Sequence, residues 1–337
     1  ALSAAERSFC MASATLGPEV LDDLIALLVR CLQQKHTPPL AHTAAEALLH
    51  LVKETGASFS QETWASVCAE LKTCFDATPV ALTPPEGIGP QESDDHLVAE
   101  VSQRVQKEAP SGSGPHELQV LLLSTVYQLL LINHPLMKLA DLEGLLNCLH
   151  SMFEKSHRVV STALDDSAEA PPNTAPTTAE LDEAIHLELE AMEHYLQILF
   201  TFFAKLSPEA TPPAKGSSPP LGSDEHVLLI ASAAEYRLVS FCLHVLREYL
   251  AVHDTALGGG PSARLAQRLL ATLTPAVVKL LQGLLAFHEP QFVKHLPGFY
   301  PLFVDLMHCD SKDIRQLLRD IFSQRIGTVL HERQQAL

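Results

Sequence analysis

The chain has 337 residues, 47% of them hydrophobic and 19% charged, with a formal charge of −17. That much apolar material can bury a large core, which excludes a disordered chain. The negative balance works against general binding of nucleic acid or anionic membranes, because repulsion from phosphates would have to be overcome locally.

Helical periodicity is nearly continuous along the chain and strand-like alternation is scarce, so the expected class is all-α. Ala1 to Arg7 form neither a basic head nor a signal-type apolar block and include no initiating methionine, which reads as part of a longer protein. Val20, Leu21, Leu24, Ile25, Leu28 and Leu32 make one face of a first helix, set between Pro18 and Pro38. The next two helices run from about Leu40 to Thr55 and from Ser60 to Ala77, with Ser60 as N-cap. Glu117 to Asn133 follows. Its apolar stretch, Leu118 to Ile132, is broken by Gln119, Ser124, Thr125 and Gln128 and falls short of the roughly 18 residues that cross a bilayer, so it reads as a buried helix.

Further helices are expected over Leu139–Leu164, Thr178–Leu206, Asp224–His253 and Ser262–Phe287, with two closing helices starting at Phe299 and Ser311, the second capped by Asp310 or Ser311. Leu181, Ile185, Leu189, Met192, Leu196, Leu199 and Phe203 show the longest stripe. Pro301 fits the first turn of the penultimate helix, and Gly327 loosens the last one near its end. Several helices are apolar on more than one side, and neighbours must cover both. Stacked helix pairs of the armadillo or HEAT kind meet that need, giving a single elongated, right-handed α-solenoid. No strict repeat period is present, so the stack is degenerate and its curvature irregular. Residues 78–94, 109–115, 165–177 and 207–223 are rich in Pro, Gly, Ser, Ala and Thr, and read as loops between layers that either tolerate insertion or carry docking motifs. Gly258 to Pro261 is a helix-to-helix linker.

Catalytic grammar is missing from the sequence. There is no G-x-S-x-G elbow, and the only glycine cluster lacks the lysine and threonine of a phosphate loop. The seven cysteines contain no C-x-x-C pair and mostly lie in apolar helical patterns, as expected for reduced, buried thiols. His42, Glu46 and His50, like His186, Glu190 and His194, project from one helical face at four-residue steps and could share a zinc ion. Neither trio reads H-E-x-x-H, no cysteine sits within the set and a further protein ligand would have to come from elsewhere, so the half-exposed helix face is preferred, with no metal and no cofactor expected.

Trp64, the sole tryptophan, is expected in the core rather than as an interface anchor. From Arg264 onward there are nine Lys/Arg against six Asp/Glu, whereas the rest of the chain has 14 against 34. The final helices are therefore the only region whose sign suits an acidic surface. Arg315, Arg319 and Arg325 are the candidate contacts to an acidic partner or lipid headgroup, the alternative being a solvated face. Phe299, Tyr300 and Phe303 either form an aromatic patch for a partner or pin the penultimate helix to its neighbours.

The order of Phe299, Tyr300 and Pro301, then Ile314 to Arg319, Phe322, Arg325 and Gly327, resembles the end of the brefeldin-A-inhibited, or BIG-type, large Arf guanine nucleotide exchange factors. Ala44 to Val52, and Ala57 to Trp64 with its F-S-Q-E-T-W run, resemble the family's helix, polar turn and helix start. Leu145 to Leu149 and Phe153 to Arg158 are similar to a further segment, with an insertion before Ser156, and the matches follow the family's order. The resemblance implies a non-catalytic segment, because exchange in that family belongs to a separate central domain with a catalytic glutamate. It further implies regulation through Arf- or Rab-type small GTPases, other domains of the same protein or a second copy. Cytoplasmic, peripheral association with trans-Golgi network membranes would follow, without nucleic acid. A generic helical scaffold in transport or tethering is the second reading, and a metal-dependent enzyme on the histidine ladders the third.

Overall fold

Helices supply all the regular structure among the described residues, which in this computed structural model are 18–32, 38–77, 115–165, 177–204, 224–260 and 262–335. They are α1 (Pro18–Leu32), α2 (Pro38–Thr55), α3 (Gln61–Ala77), α4 (Pro115–Asn133), α5 (Leu139–Leu164) and α6 (Thr178–Phe203). After these come α7 (Asp224–Leu257), α8 (Ala263–Leu285), α9 (Glu289–Leu306), α10 (Lys312–Asp320), a π-helical turn (Ile321–Ile326) and α11 (Gly327–Gln335). The all-α expectation holds. The expected Pro- and Ser-rich loops at 78–94, 109–115, 165–177 and 207–223 lie almost wholly outside the described residues.

Local chemistry fixes several boundaries. Thr177 caps α6 through a full capping box, its hydroxyl accepting from Glu180 N–H while the Glu180 side chain accepts from Thr177 N–H. Ser60 accepts from Thr63 N–H at 3.1 Å ahead of α3, and Ser311 accepts from Ile314 N–H ahead of α10. Gly259 adopts φ 69°, a left-handed conformation that suits glycine, in the turn between α7 and α8.

Pro301 does not start a helix. α9 begins at Glu289, with Pro290 in its first turn, and runs on through both Pro297 and Pro301. These two prolines lie four residues apart on the exposed side of the helix. There the carbonyls that lose their N–H partners can turn to water, which lets the helix continue. The loosening expected near Gly327 is present as the π turn that precedes it, closed by Gly327 N–H donating to the Phe322 carbonyl.

Packing follows two rows. α2, α4, α6, α8 and α10 each contact the next in that order, while α1 contacts α3, α3 contacts α5 and α7 contacts α9. α5 and α7 meet through aromatic side chains, Phe153 lying edge-on to Phe241 at 4.9 Å between centroids. Consecutive helices close the rows against each other at α1–α2, α5–α6, α6–α7 and α7–α8. One continuous set of buried side chains extends from Ile25 in α1 to Ile326 in the π turn. Each large apolar residue so buried contributes about 1.5–3 kcal/mol relative to exposure.

α6 is covered on several sides, touching α4, α5, α7 and α8. That explains why Leu187, Ala191, Tyr195 and Ile198 are buried as well as Met192, Leu196, Leu199 and Phe203 of the visible stripe. The α4 stretch that falls short of spanning is not among the candidates by length and composition; α7 and α8 are long and apolar enough to cross a membrane on that measure. Both are packed against other helices here, and α7 carries Glu235 and Glu248 in ion pairs.

Candidate interaction surface

The five residues expected to meet a partner are divided by the fold. Phe299 is buried at 3% exposure and stacks on Phe303, with centroids 5.8 Å apart and planes 10° from parallel. Arg325 holds its guanidinium 5.1 Å above the Phe292 ring, a cation–π contact within the protein. Arg315 is half-buried and donates from Nη1 to the Cys309 carbonyl at 3.2 Å, tying α10 to the turn before it. Tyr300 and Arg319 face solvent. Tyr300, 47% exposed, sets its ring edge-on to half-buried Phe322 at 6.1 Å, and exposed Val304 lies one turn further along α9. The result is a small apolar patch with cationic Arg319 one turn before Phe322 on the same segment.

A second site escaped the sequence reading because three separate helices contribute to it. His157 of α5 donates from Nδ1 to Glu188 Oε1 of α6 at 2.8 Å, and its Nε2 lies 3.5 Å from Glu248 Oε2 of α7. Burial of the ring opposes its charge, but hydrogen bonds to Glu188 and Glu248 and their negative charges outweigh it and raise the His157 pKa to about 10. The hydrogen bond from His157 in turn lowers the pKa of Glu248, against its partial burial. Glu188 itself is only 5% exposed, a carboxylate that such burial tolerates only when paired. Phe153 stacks on His157 with planes 6° apart and meets His244 edge-on.

Beside this node a polar cleft of about 550 Å³ is lined by His150, Tyr195, Tyr236, Arg237 and His244, among others. Burial holds His150 below the usual histidine range. The available sequence signals were Ser156-His157-Arg158, inside a family-like segment, and His244 with Glu248 one turn on; neither indicated Glu188.

The histidine ladders stay on helix faces. His42 and Glu46 are exposed at 3.5 Å, His186 and Glu190 lie 4.0 Å apart, and His194 Nδ1 donates to the Glu190 carbonyl at 2.8 Å. His194 also packs its ring on Tyr127, with 4.4 Å between centroids. Trp64 is 1% exposed and meets Phe59 at 5.1 Å.

The family model described as the BIG2 C-terminal domain matches residues 117–323, well over half of the chain. The chain belongs to this family. It is 24% identical to brefeldin A-inhibited guanine nucleotide-exchange protein 3 of Arabidopsis thaliana over 94% of its own length and 18% of that protein's. Brefeldin A-inhibited guanine nucleotide-exchange protein 2 of the same organism is also 24% identical, over 94% of the chain and 19% of the relative. The chain therefore spans less than a fifth of the length of these relatives. No solved structure matches it.

The family-matched span runs from α4 into the π turn. It contains the His157–Glu188–Glu248 node together with Tyr300, Val304, Arg315 and Arg319, whereas Arg325 and helices α1 to α3 lie outside it.

Proposed function

We propose that this chain is a non-catalytic regulatory segment of a large Arf guanine nucleotide exchange factor, folded as one elongated armadillo/HEAT-like α-solenoid. The family match over residues 117–323 carries the reading. The two-row packing of helices supports the solenoid, since each layer buries its apolar faces against the next.

In this reading, Tyr300 and Arg319, assisted by Arg315, form the contact surface, while Phe299 and Arg325 hold the helices that present it. The net basic charge after Arg264 suits the acidic surface of a small GTPase of the Arf or Rab type, another domain of the same exchange factor, or anionic headgroups. A second copy of the chain is a further occupant of the same patch. The segment acts on the cytoplasmic face of trans-Golgi network membranes, controlling recruitment of a catalytic domain that lies elsewhere in the complete factor.

The test is the double substitution Tyr300→Asp with Arg319→Glu in the complete exchange factor. Trans-Golgi recruitment is expected to drop roughly tenfold, as losing an interface anchor worth about 1–2 kcal/mol would produce. Exchange on soluble Arf is expected to stay unchanged. Wild-type recruitment by the double variant would contradict the assignment of this surface.

A further inference from the structure

We propose that His157, His244 and Glu248 form a zinc site at the junction of α5, α6 and α7, with Glu188 as the group that orients it. One ligand atom from each of the three lies within 4.8 Å of the others. Zinc bonds of about 2.0–2.2 Å to imidazole and carboxylate place neighbouring ligands of a tetrahedral ion roughly 3.3–3.5 Å apart. His157 Nε2 and Glu248 Oε2, at 3.5 Å, already stand at that separation, and zinc would take the place of the proton that Nε2 otherwise directs at Glu248.

The wider arrangement has the features of a metal site. Glu188 accepts from His157 Nδ1 at 2.8 Å, which fixes the ring and aims Nε2 at Glu248, as carboxylates behind metal-bound histidines do. His244 and Glu248 are one turn apart on α7, so a single helix face supplies two ligands. His244 Nδ1 lies 4.0 Å from Glu248 Oε1, and its Nε2 is buried with no hydrogen-bond partner among the described residues. The three groups stand close enough for one ion to reach all of them through small rotations, and no hydrogen bond among the described residues ties His244 Nε2 against such a turn of its ring. Phe153 packs against both imidazoles, giving the site an apolar wall. His244 also lines the polar cleft, so a fourth position opens toward solvent for water or an outside ligand. Two imidazoles and a carboxylate are a ligand set that suits zinc.

The inference is independent of the exchange-factor reading. The experiment titrates the 337-residue chain with zinc against a chromophoric chelator and, in parallel, with cobalt(II) followed by visible absorption. One equivalent of zinc is expected, with the intense d–d bands of a four-coordinate cobalt site. His244→Gln and Glu248→Gln are expected to abolish the cobalt spectrum, and Glu188→Gln to weaken zinc binding about 10–100-fold while leaving the stoichiometry at one. His186→Gln, on an exposed ladder, leaves both readouts unchanged. Circular dichroism confirms that each variant is folded, and half-exposed His244 is the least disruptive position. Zinc binding by His244→Gln and Glu248→Gln equal to the parent chain, or a cobalt spectrum lost only with His186→Gln, would overturn the site.

Discussion

Gly283 of α8 lies against the tip of the Phe200 ring of α6, so close that a Cβ on Gly283 would overlap Cζ. Phe200 also meets Phe287 edge-on at 6.1 Å. Alanine normally stabilises a helix interior over glycine by about 1 kcal/mol. Here that gain is outweighed by displacing the ring, and Gly283→Ala is expected to destabilise the protein by about 1–3 kcal/mol. In a Phe200→Ala background the sign reverses, and Gly283→Ala stabilises by up to about 1 kcal/mol. Urea denaturation of the four proteins checks both statements.

Glu235 of α7 accepts Lys294 Nζ at 2.8 Å and His295 Nε2 at 2.6 Å on one oxygen, joining α7 to α9. Burial alone would raise its pKa, but the two hydrogen bonds and the charges behind them win and hold it below the usual value of 4.5. A pKa depressed in the folded state adds stability above about pH 4.5, which is lost as pH falls through the folded value. Glu235→Gln is therefore expected to lower the melting temperature at pH 7 and to flatten its decline between about pH 5 and 3. Melting curves across that range would reject the idea if the two proteins declined in parallel.

Trp64 sits in a closed corner where a Cβ on Gly56 would come 3.1 Å from Asn133 Oδ1 and 3.2 Å from the indole. Truncation to alanine is expected to destabilise the fold by about 3–5 kcal/mol, as for large core residues generally. Gly56→Ala overfills the same corner and is expected to lose about 1–3 kcal/mol. Helix content followed by circular dichroism through a denaturant titration measures both without relying on the tryptophan itself.

Thiol chemistry offers an independent probe of packing. Burial pushes the Cys68 pKa up to about 12 and that of Cys148 to about 11, and raises Cys242 further. Of the six described cysteines only Cys31 is partly exposed. Iodoacetamide at neutral pH is expected to alkylate Cys31 well ahead of the other five, because thiolate and access are both required. Mass spectrometry showing Cys242 modified at the rate of Cys31 would contradict the buried α7 core.

The helices were legible because period and punctuation agreed. Leu139 to Leu164 is bounded as read, and Ser60, Thr177 and Ser311 mark helix starts, of which Ser60 was read from the sequence, Ser311 as one of two candidates beside Asp310, and Thr177 not at all. α9 was misjudged because a proline is locally a start signal, while its tolerance at 297 and 301 depends on which side of the helix meets solvent, a tertiary fact. Which of the candidate side chains are exposed was half legible for the same reason. Tyr300 and Phe299 are neighbours in sequence, and only the fold decides that one ring faces water and the other the core. The His157 node was out of reach, since Glu188 is 31 residues away and joins only through helix packing. Regular ladders such as His42, Glu46 and His50 drew attention instead, although each lies along one helix.

The central claim is that this chain grips and does not itself exchange nucleotide. Its most direct test follows nucleotide exchange on Arf bound to liposomes of trans-Golgi lipid composition, comparing the complete exchange factor, its Tyr300→Asp/Arg319→Glu variant and the isolated 337-residue chain. The account predicts no acceleration by the isolated chain and a membrane-dependent loss in the variant that disappears in solution. Acceleration of exchange by the isolated chain, or equal losses with and without membranes, would contradict it.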